Sequence, residues 1–362
     1  MRLSWLGGNQ REIDMRSDMR FLGCGILART IGAAGAFVVS LVLLQGGARA
    51  ADDKTYLMKI TLPALGDPSH LFAKNYAAAL ERDSDGRIKT EIYPASQLGA
   101  IPRQIEGTQF GAIQCAIMPP EFFVGVDERF EVLPAPGLVS SMEHGQRLAA
   151  DPTVQKLILG LGADKGLHGA ALFMNAPSSM IAKKPIRHLT DFKGKKIRIF
   201  ASQFQFASIE RLGATPVAMT LGDVLVAIQQ GTIDGAIGGI VIFTPMHFND
   251  AAKYVTETGQ PAVFVVVEIS KKWYDSLPSD LQQIVDRDAA AESVAINASS
   301  IDIVNKARKD WTDNGGELIS LPPDEQSTLL KTLASVGEDV SKAKPKLSEA
   351  YHVVTEAAQR TR

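Results

Sequence analysis

Between Ser279 and Asp313 no residue breaks a helix, and the first stop signal is Asn314-Gly315-Gly316. Thirty-five helical residues would run ~50 Å at 1.5 Å each. A helix of that length without a sustained heptad exceeds one lobe of a globular chain and lies across two. Ser279 with Gln282 reads as the capping box that opens it. Asp324–Gln359 reads as further amphipathic helix.

The segments before this helix alternate strand with helix. Tyr56–Leu62 is strand-like, Asp67-Pro68 is an N-cap with proline at the first helical position, and Ile88–Tyr93 is a second strand. Gln104–Phe123 (QIEGTQFGAIQCAIMPPEFF) and Ala227–Phe243 (AIQQGTIDGAIGGIVIF) echo each other. Each has a helix end, a glycine turn, a short apolar strand and an abrupt change, Pro119-Pro120 in one and Gly238-Gly239 in the other. Thr220 with Asp223 reads as a capping box for the second helix and Gly231 as its stop. Strand–helix alternation favours parallel α/β units, here in two similar lobes.

The first 50 residues are of another kind. Arginines precede an apolar run from Ile31 to Leu44, and Ala48-Arg49-Ala50 closes the segment. A basic head, a run too short for the ~20 residues of a membrane span and an A-x-A ending describe a secretory signal peptide. The mature chain then begins near Ala51 in an oxidising compartment, with Cys115 unable to form an internal disulfide. Of 38 Lys and Arg and 40 Asp and Glu, six and three fall in the first 50 residues, which leaves 32 against 37. That balance gives no footprint for nucleic acid or an anionic membrane.

Catalytic signatures are absent. There is no G-x-S-x-G elbow, phosphate loop or H-E-x-x-H, and the six histidines show no metal-ligand spacing. Gly160-Leu-Gly162 follows a predicted helix rather than a strand, so it reads as a helix end. Cys115 sits in an apolar strand as a structural thiol. No cofactor and no metal are expected. The remaining anomaly is Arg198, set between Ile197 and Ile199. On strand geometry the isoleucines share one face and Arg198 shares the other with Lys196 and Phe200. A half-buried guanidinium needs an anion, from the protein or from a ligand.

Four segments together resemble the solute receptors of tripartite ATP-independent periplasmic (TRAP) transporters, DctP type. They are Gly86–Ala100 (GRIKTEIYPASQLGA), Lys184–Ile199 (KPIRHLTDFKGKKIRI), Leu212–Ile237 (LGATPVAMTLGDVLVAIQQGTIDGAI) and Lys271–Val285 (KKWYDSLPSDLQQIV). The resemblance implies an α/β, two-lobed periplasmic binding protein, type II-like, with hinge strands and a long helix spanning both lobes. Residues 1–50 would be the signal peptide. Lobe I would cover 51–173 with a return segment near 264–300, and lobe II 174–263 with the C-terminal helices of 301–362.

The resemblance further implies a periplasmic receptor without catalysis, closing over a small organic acid and delivering it to TRAP permease subunits. In such receptors the arginine at Arg198 pairs with the ligand carboxylate, the alternative being an internal salt bridge. This chain departs from the family at two places. Asn175-Ala-Pro-Ser178-Ser179 stands where many members carry a second arginine, and Gly238-Gly239 where many have Asn-Pro. The candidate site therefore comprises Arg198, Ser178, Asn175, Glu121, Phe122, Phe200, Leu221, Gly238, Gly239 and Phe243, suited to a monocarboxylate with an apolar or aromatic body. The rivals are an ABC-importer receptor, a solute sensor and a secreted enzyme.

Overall fold

A computed structural model describes residues 54–200 and 202–362. The expected signal peptide lies outside these residues. The chain opens with β1 (Tyr56–Thr61), α1 (Pro68–Asp83), β2 (Ile88–Tyr93), α2 (Ile101–Phe110) and β3 (Cys115–Met118). Next come α3 (Met142–Ala149), α4 (Pro152–Leu159) and the 16-residue β4 (Leu167–Ala182). A second round follows: β5 (Lys196–Ile199), α5 (Gln203–Arg211), β6 (Thr215–Ala218), α6 (Leu221–Gln230), β7 (Gly235–Gly239) and α7 (Ile240–Phe243). The chain returns through β8 (Tyr254–Glu257), β9 (Ala262–Ser270) and α8 (Lys271–Tyr274). It ends in α9 (Ser279–Asp313), β10 (Glu317–Ser320), α10 (Pro323–Leu333), α11 (Val336–Ser341) and α12 (Pro345–Arg360).

The sheet order is β2-β1-β3-β9-β4-β7-β5-β6. β1 pairs parallel with β2 and β3, and β5 pairs parallel with β6 and β7. These two parallel triplets are joined by the antiparallel pair β9 and β4, which also run antiparallel to β3 and β7. The echo in the sequence is thus an echo in space. α2 and α6 each stop at a left-handed glycine, Gly111 (φ 87°) and Gly231 (φ 72°), before β3 and β7.

β9 is buried along its whole length, because the joint has cover on both faces. Val265, Val267 and Ile269 pack with Phe72, Tyr76 and Phe173, whereas Phe264 and Val266 pack with Phe123, Phe130 and Leu148. α9 runs for 35 residues, as its lack of breakers requires. Its first half buries Leu281, Val285 and Ala289 beside α1, where Tyr76 donates to the Val285 carbonyl at 3.1 Å. Its second half buries Val304, Ala307 and Trp311 beside Phe243 and Phe248.

Several local expectations fail for identifiable reasons. Extended Pro278 is the N-cap of α9, so Ser279 is already helical and Gln282 donates instead to the Tyr274 carbonyl at 3.0 Å. Thr220 donates to Asp223 at 2.7 Å but caps no backbone N–H. The C-terminal tail is three helices rather than one. Pro345 pushes Lys344 to φ −128°, ψ 93°, out of helical space. α12 packs on Glu128–Val132, α3 and α4, all within the 51–173 segment, and α11 packs on α5.

Candidate functional site

Arg198 is 1% exposed on β5, and its guanidinium is held by main chain. Nε donates to the Met219 carbonyl at 2.9 Å and Nη1 to the Ile237 carbonyl at 3.2 Å. Nη2 has no protein partner although it is buried. The Arg198 side chain lies 4.5 Å above the Phe200 ring, which stacks on Phe122 at 5.5 Å. No carboxylate forms an ion pair with the guanidinium among the described residues. Burial lowers its pKa from the usual value, opposed by the charge of Glu121.

Arg198 lines a pocket of about 430 Å³ of empty space, open solvent included. The walls follow the carboxyl ends of parallel strands from both triplets: Pro63 and Ala64 after β1, Pro119 and Phe122 after β3, and Phe200 after β5. Leu221 at the start of α6, Gly239 at the end of β7 and Ile242 in α7 complete the second side. Asn175 of β4 with Val263 and Val265 of β9 come from the joint itself. Crevices outside strand carboxyl ends, between two halves, are where α/β folds bind small molecules.

Six of the ten expected residues line this cavity: Arg198, Asn175, Phe122, Phe200, Leu221 and Gly239. Four do not. Phe243 is core, 5.6 Å from Phe248 and 6.1 Å from Trp311 between ring centres. Gly238 backs onto that phenylalanine, since a Cβ there would stand 3.1 Å from Phe243 Cε1. Ser178 is buried opposite Gly239 in the β4–β7 pairing, outside the lining. Glu121 lies behind the wall rather than in it. Its Oε1 accepts from Gln205 at 3.4 Å, its Oε2 has no partner, and burial pushes its pKa up to about 8 with Glu131 adding to the rise.

Asp67 and Ser69 line the cavity but escape a sequence reading, because an N-cap aspartate is fully explained by the helix it caps. Desolvation raises the Asp67 pKa, opposed by hydrogen bonds from Ser69, His70 and Asn175. His70 is buried, and its Nδ1 accepts from Gly66 N–H at 3.1 Å. Cys115 is buried as a structural thiol, its pKa raised by desolvation. No group of His, Cys, Asp and Glu suited to a metal ion occurs among the described residues. No described helix is long and apolar enough to cross a membrane.

Comparison with known proteins gives this geometry a context. The pattern of the bacterial extracellular solute-binding proteins, family 7 (DctP), matches residues 61–343. The C4-dicarboxylate-binding periplasmic protein DctP of Rhodobacter capsulatus is 27% identical over 301 residues, 78% of this chain and 90% of that protein. A TRAP periplasmic solute-binding protein of Desulfovibrio salexigens, solved with orotic acid, superposes with a TM-score of 0.80. It is 21% identical and covers 85% of this chain and all of its own. One from Shewanella oneidensis, solved with succinate, gives 0.78 at 20% identity, over 84% of this chain and 99% of its own. With its pattern matched from β1 to α11 and its two-lobed fold shared, this chain belongs to the DctP family of periplasmic solute receptors that serve TRAP transporters.

Proposed function

We propose that Arg198 takes the carboxylate of a small organic acid in the cavity, and that the acid carries one carboxylate on an apolar or aromatic body. The observation that carries this reading is the buried Nη2, a charged donor without a protein partner, on a residue of the cavity lining. A guanidinium donor to a carboxylate contributes about 1.5–3 kcal/mol, and leaving it unmet in the interior is costly. Ala64, Phe122, Phe200, Leu221, Ile242, Val263 and Val265 supply the apolar surface. The acids named for the relatives support the ligand class, and the missing second arginine supports a single carboxylate.

The lobes of this reading are the two parallel triplets with their helices, meeting at β4 and β9. The division at 173/174 and 263/264 falls within or beside those strands, which act as the hinge. The packing of α12 on Glu128–Val132 and α4 supports giving that helix to lobe I, although 301–362 as a block would fall to lobe II. Ligand contacts to both lobes favour the closed state, and the loaded receptor hands the acid to the permease.

Thermal-shift screening of the mature chain against monocarboxylates and C4-dicarboxylates tests the reading. Arg198→Ala should fold and lose at least a hundredfold in affinity for the acid that stabilises the wild type. Unchanged affinity in that variant, or tight binding of succinate with none of aromatic or apolar monocarboxylates, overturns it.

A further inference from the structure

Besides Arg198, the polar side chains of the cavity lining are Asp67, Ser69 and Asn175. Asp67 Oδ1 accepts from Ser69 Oγ at 2.7 Å and from His70 N–H at 3.0 Å, and Oδ2 accepts from Asn175 Nδ2 at 3.2 Å. An ionised carboxylate only accepts, so the Asn175 amide must turn its NH₂ toward Asp67. Its Oδ1 is thereby left over, buried and without a protein partner, on a residue 4% exposed that lines the cavity. Ser69 has already given its one proton to Asp67 and offers only lone pairs. Three polar residues thus meet in the lining, with the Asp67 carboxyl, the Ser69 lone pairs and the Asn175 oxygen as acceptors and one Asn175 N–H unused.

Resting on the carboxylate reading above, we infer that the ligand carries, besides the carboxylate held by Arg198, a hydrogen-bond donor that Asn175 Oδ1 receives beside Asp67. The donor is a hydroxyl or an ammonium, so the ligand class is a hydroxy- or amino-monocarboxylate. A second carboxylate here would bring an anion against the Asp67 carboxylate and the unmet Asn175 oxygen, with at most one Asn175 N–H to receive it. A plain hydrocarbon end would leave the Asn175 oxygen unmet, which a buried site tolerates poorly. The apolar residues of the lining accept the carbon skeleton. Arg198 fixes the class of acid, and Asn175 with Asp67 selects within it. A site built to pair a polar group discriminates strongly against analogues that lack it.

Matched ligand series, measured by calorimetry on the mature chain, test the inference. One series is phenylacetate bearing hydrogen, hydroxyl, aminomethyl or carboxylate at the para position. The other is straight-chain C4–C6 acids ending in methyl, hydroxyl, ammonium or carboxylate. The hydroxyl or ammonium member should bind at least tenfold more tightly than the plain acid and the diacid of the same skeleton. Asn175→Leu should lower the affinity of the hydroxyl or ammonium member at least tenfold more than that of the plain acid. Asp67→Asn, which retains an N-cap side chain, should weaken the ammonium member more than the hydroxyl member. Plain and hydroxylated acids of equal affinity overturn the inference and leave the reading above intact, whereas a diacid that binds most tightly overturns both the inference and the single-carboxylate part of that reading. If no carboxylate in either series binds, the Arg198 reading falls and this inference falls with it. Should Asn175→Leu fail to fold, the affinity order of the wild-type series alone supports or overturns the inference.

Discussion

Arg198 and Glu121 are buried ionisable groups close enough to influence each other without forming an ion pair, and the titration of Glu121 sets a pH dependence. Glu121, at about 8, is mostly neutral at pH 7 and becomes an anion as pH rises past that value. Its negative charge then offsets the guanidinium and repels an incoming carboxylate. Arg198 keeps its charge over this range, burial only lowering its pKa from the usual value. Affinity for the acid should therefore fall severalfold between pH 7 and 9.5, and Glu121→Gln should flatten that profile. Affinity that is flat over this range would contradict the coupling. Stability follows with its own sign. The folded Glu121 keeps a proton that the unfolded chain releases near 4.5, so its contribution declines as pH climbs from about 4.5 to about 8. Arg198 was legible because an arginine between isoleucines is anomalous on any strand. Asp67 and Asn175 were harder to rank, since a cap and a strand asparagine each have an ordinary explanation.

At the scale of elements, packing explains the glycine pair that ends β7. Gly239 has φ −76°, which any residue can adopt, so space and not backbone excludes a side chain. A Cβ would stand 2.9 Å from Ala176 Cβ on β4 and 3.3 Å from Val241 Cγ2. Gly239→Ala should cost about 1–3 kcal/mol by overpacking and should weaken ligand binding, since both the residue and its β7 end line the cavity. Chemical denaturation and calorimetry read the two effects separately; a neutral substitution would show that the joint yields easily. The strand–helix order, the glycine stops and the full length of α9 could be read because each has a local cause. Its capping did not follow the expected pattern, because Pro278 set the start one residue early. Phe243 was misplaced for a related reason. Periodicity marks a buried ring but does not say whether it is buried against a cavity or against Trp311.

For the whole molecule, three elements cross between the halves: β4, β9 and α9. Ligand that contacts both sides should shift the population toward the closed form. Small-angle scattering should therefore show a smaller radius of gyration on adding a bound acid, and an unchanged radius would argue for a rigid receptor. At a hundredfold excess over Kd the same acid should add about 2.7 kcal/mol of stability. The two-lobed plan was visible in the repeat of one α/β unit, whereas the docking of α12 on Glu128–Val132 was not. Amphipathic spacing says that a helix buries a face, and the partner of that face is fixed only by the assembled core.

The carbonyls that grip Arg198 belong to Met219 and Ile237, yet their side chains play no part in the grip. Every amino acid offers the same oxygen, so the anchor is insulated from changes of residue type at either position. The surrounding walls can be rewritten one at a time while the anion handle stays put. A designer seeking a receptor for a different acid could leave β5 alone and recast Phe122, Leu221 or Ile242.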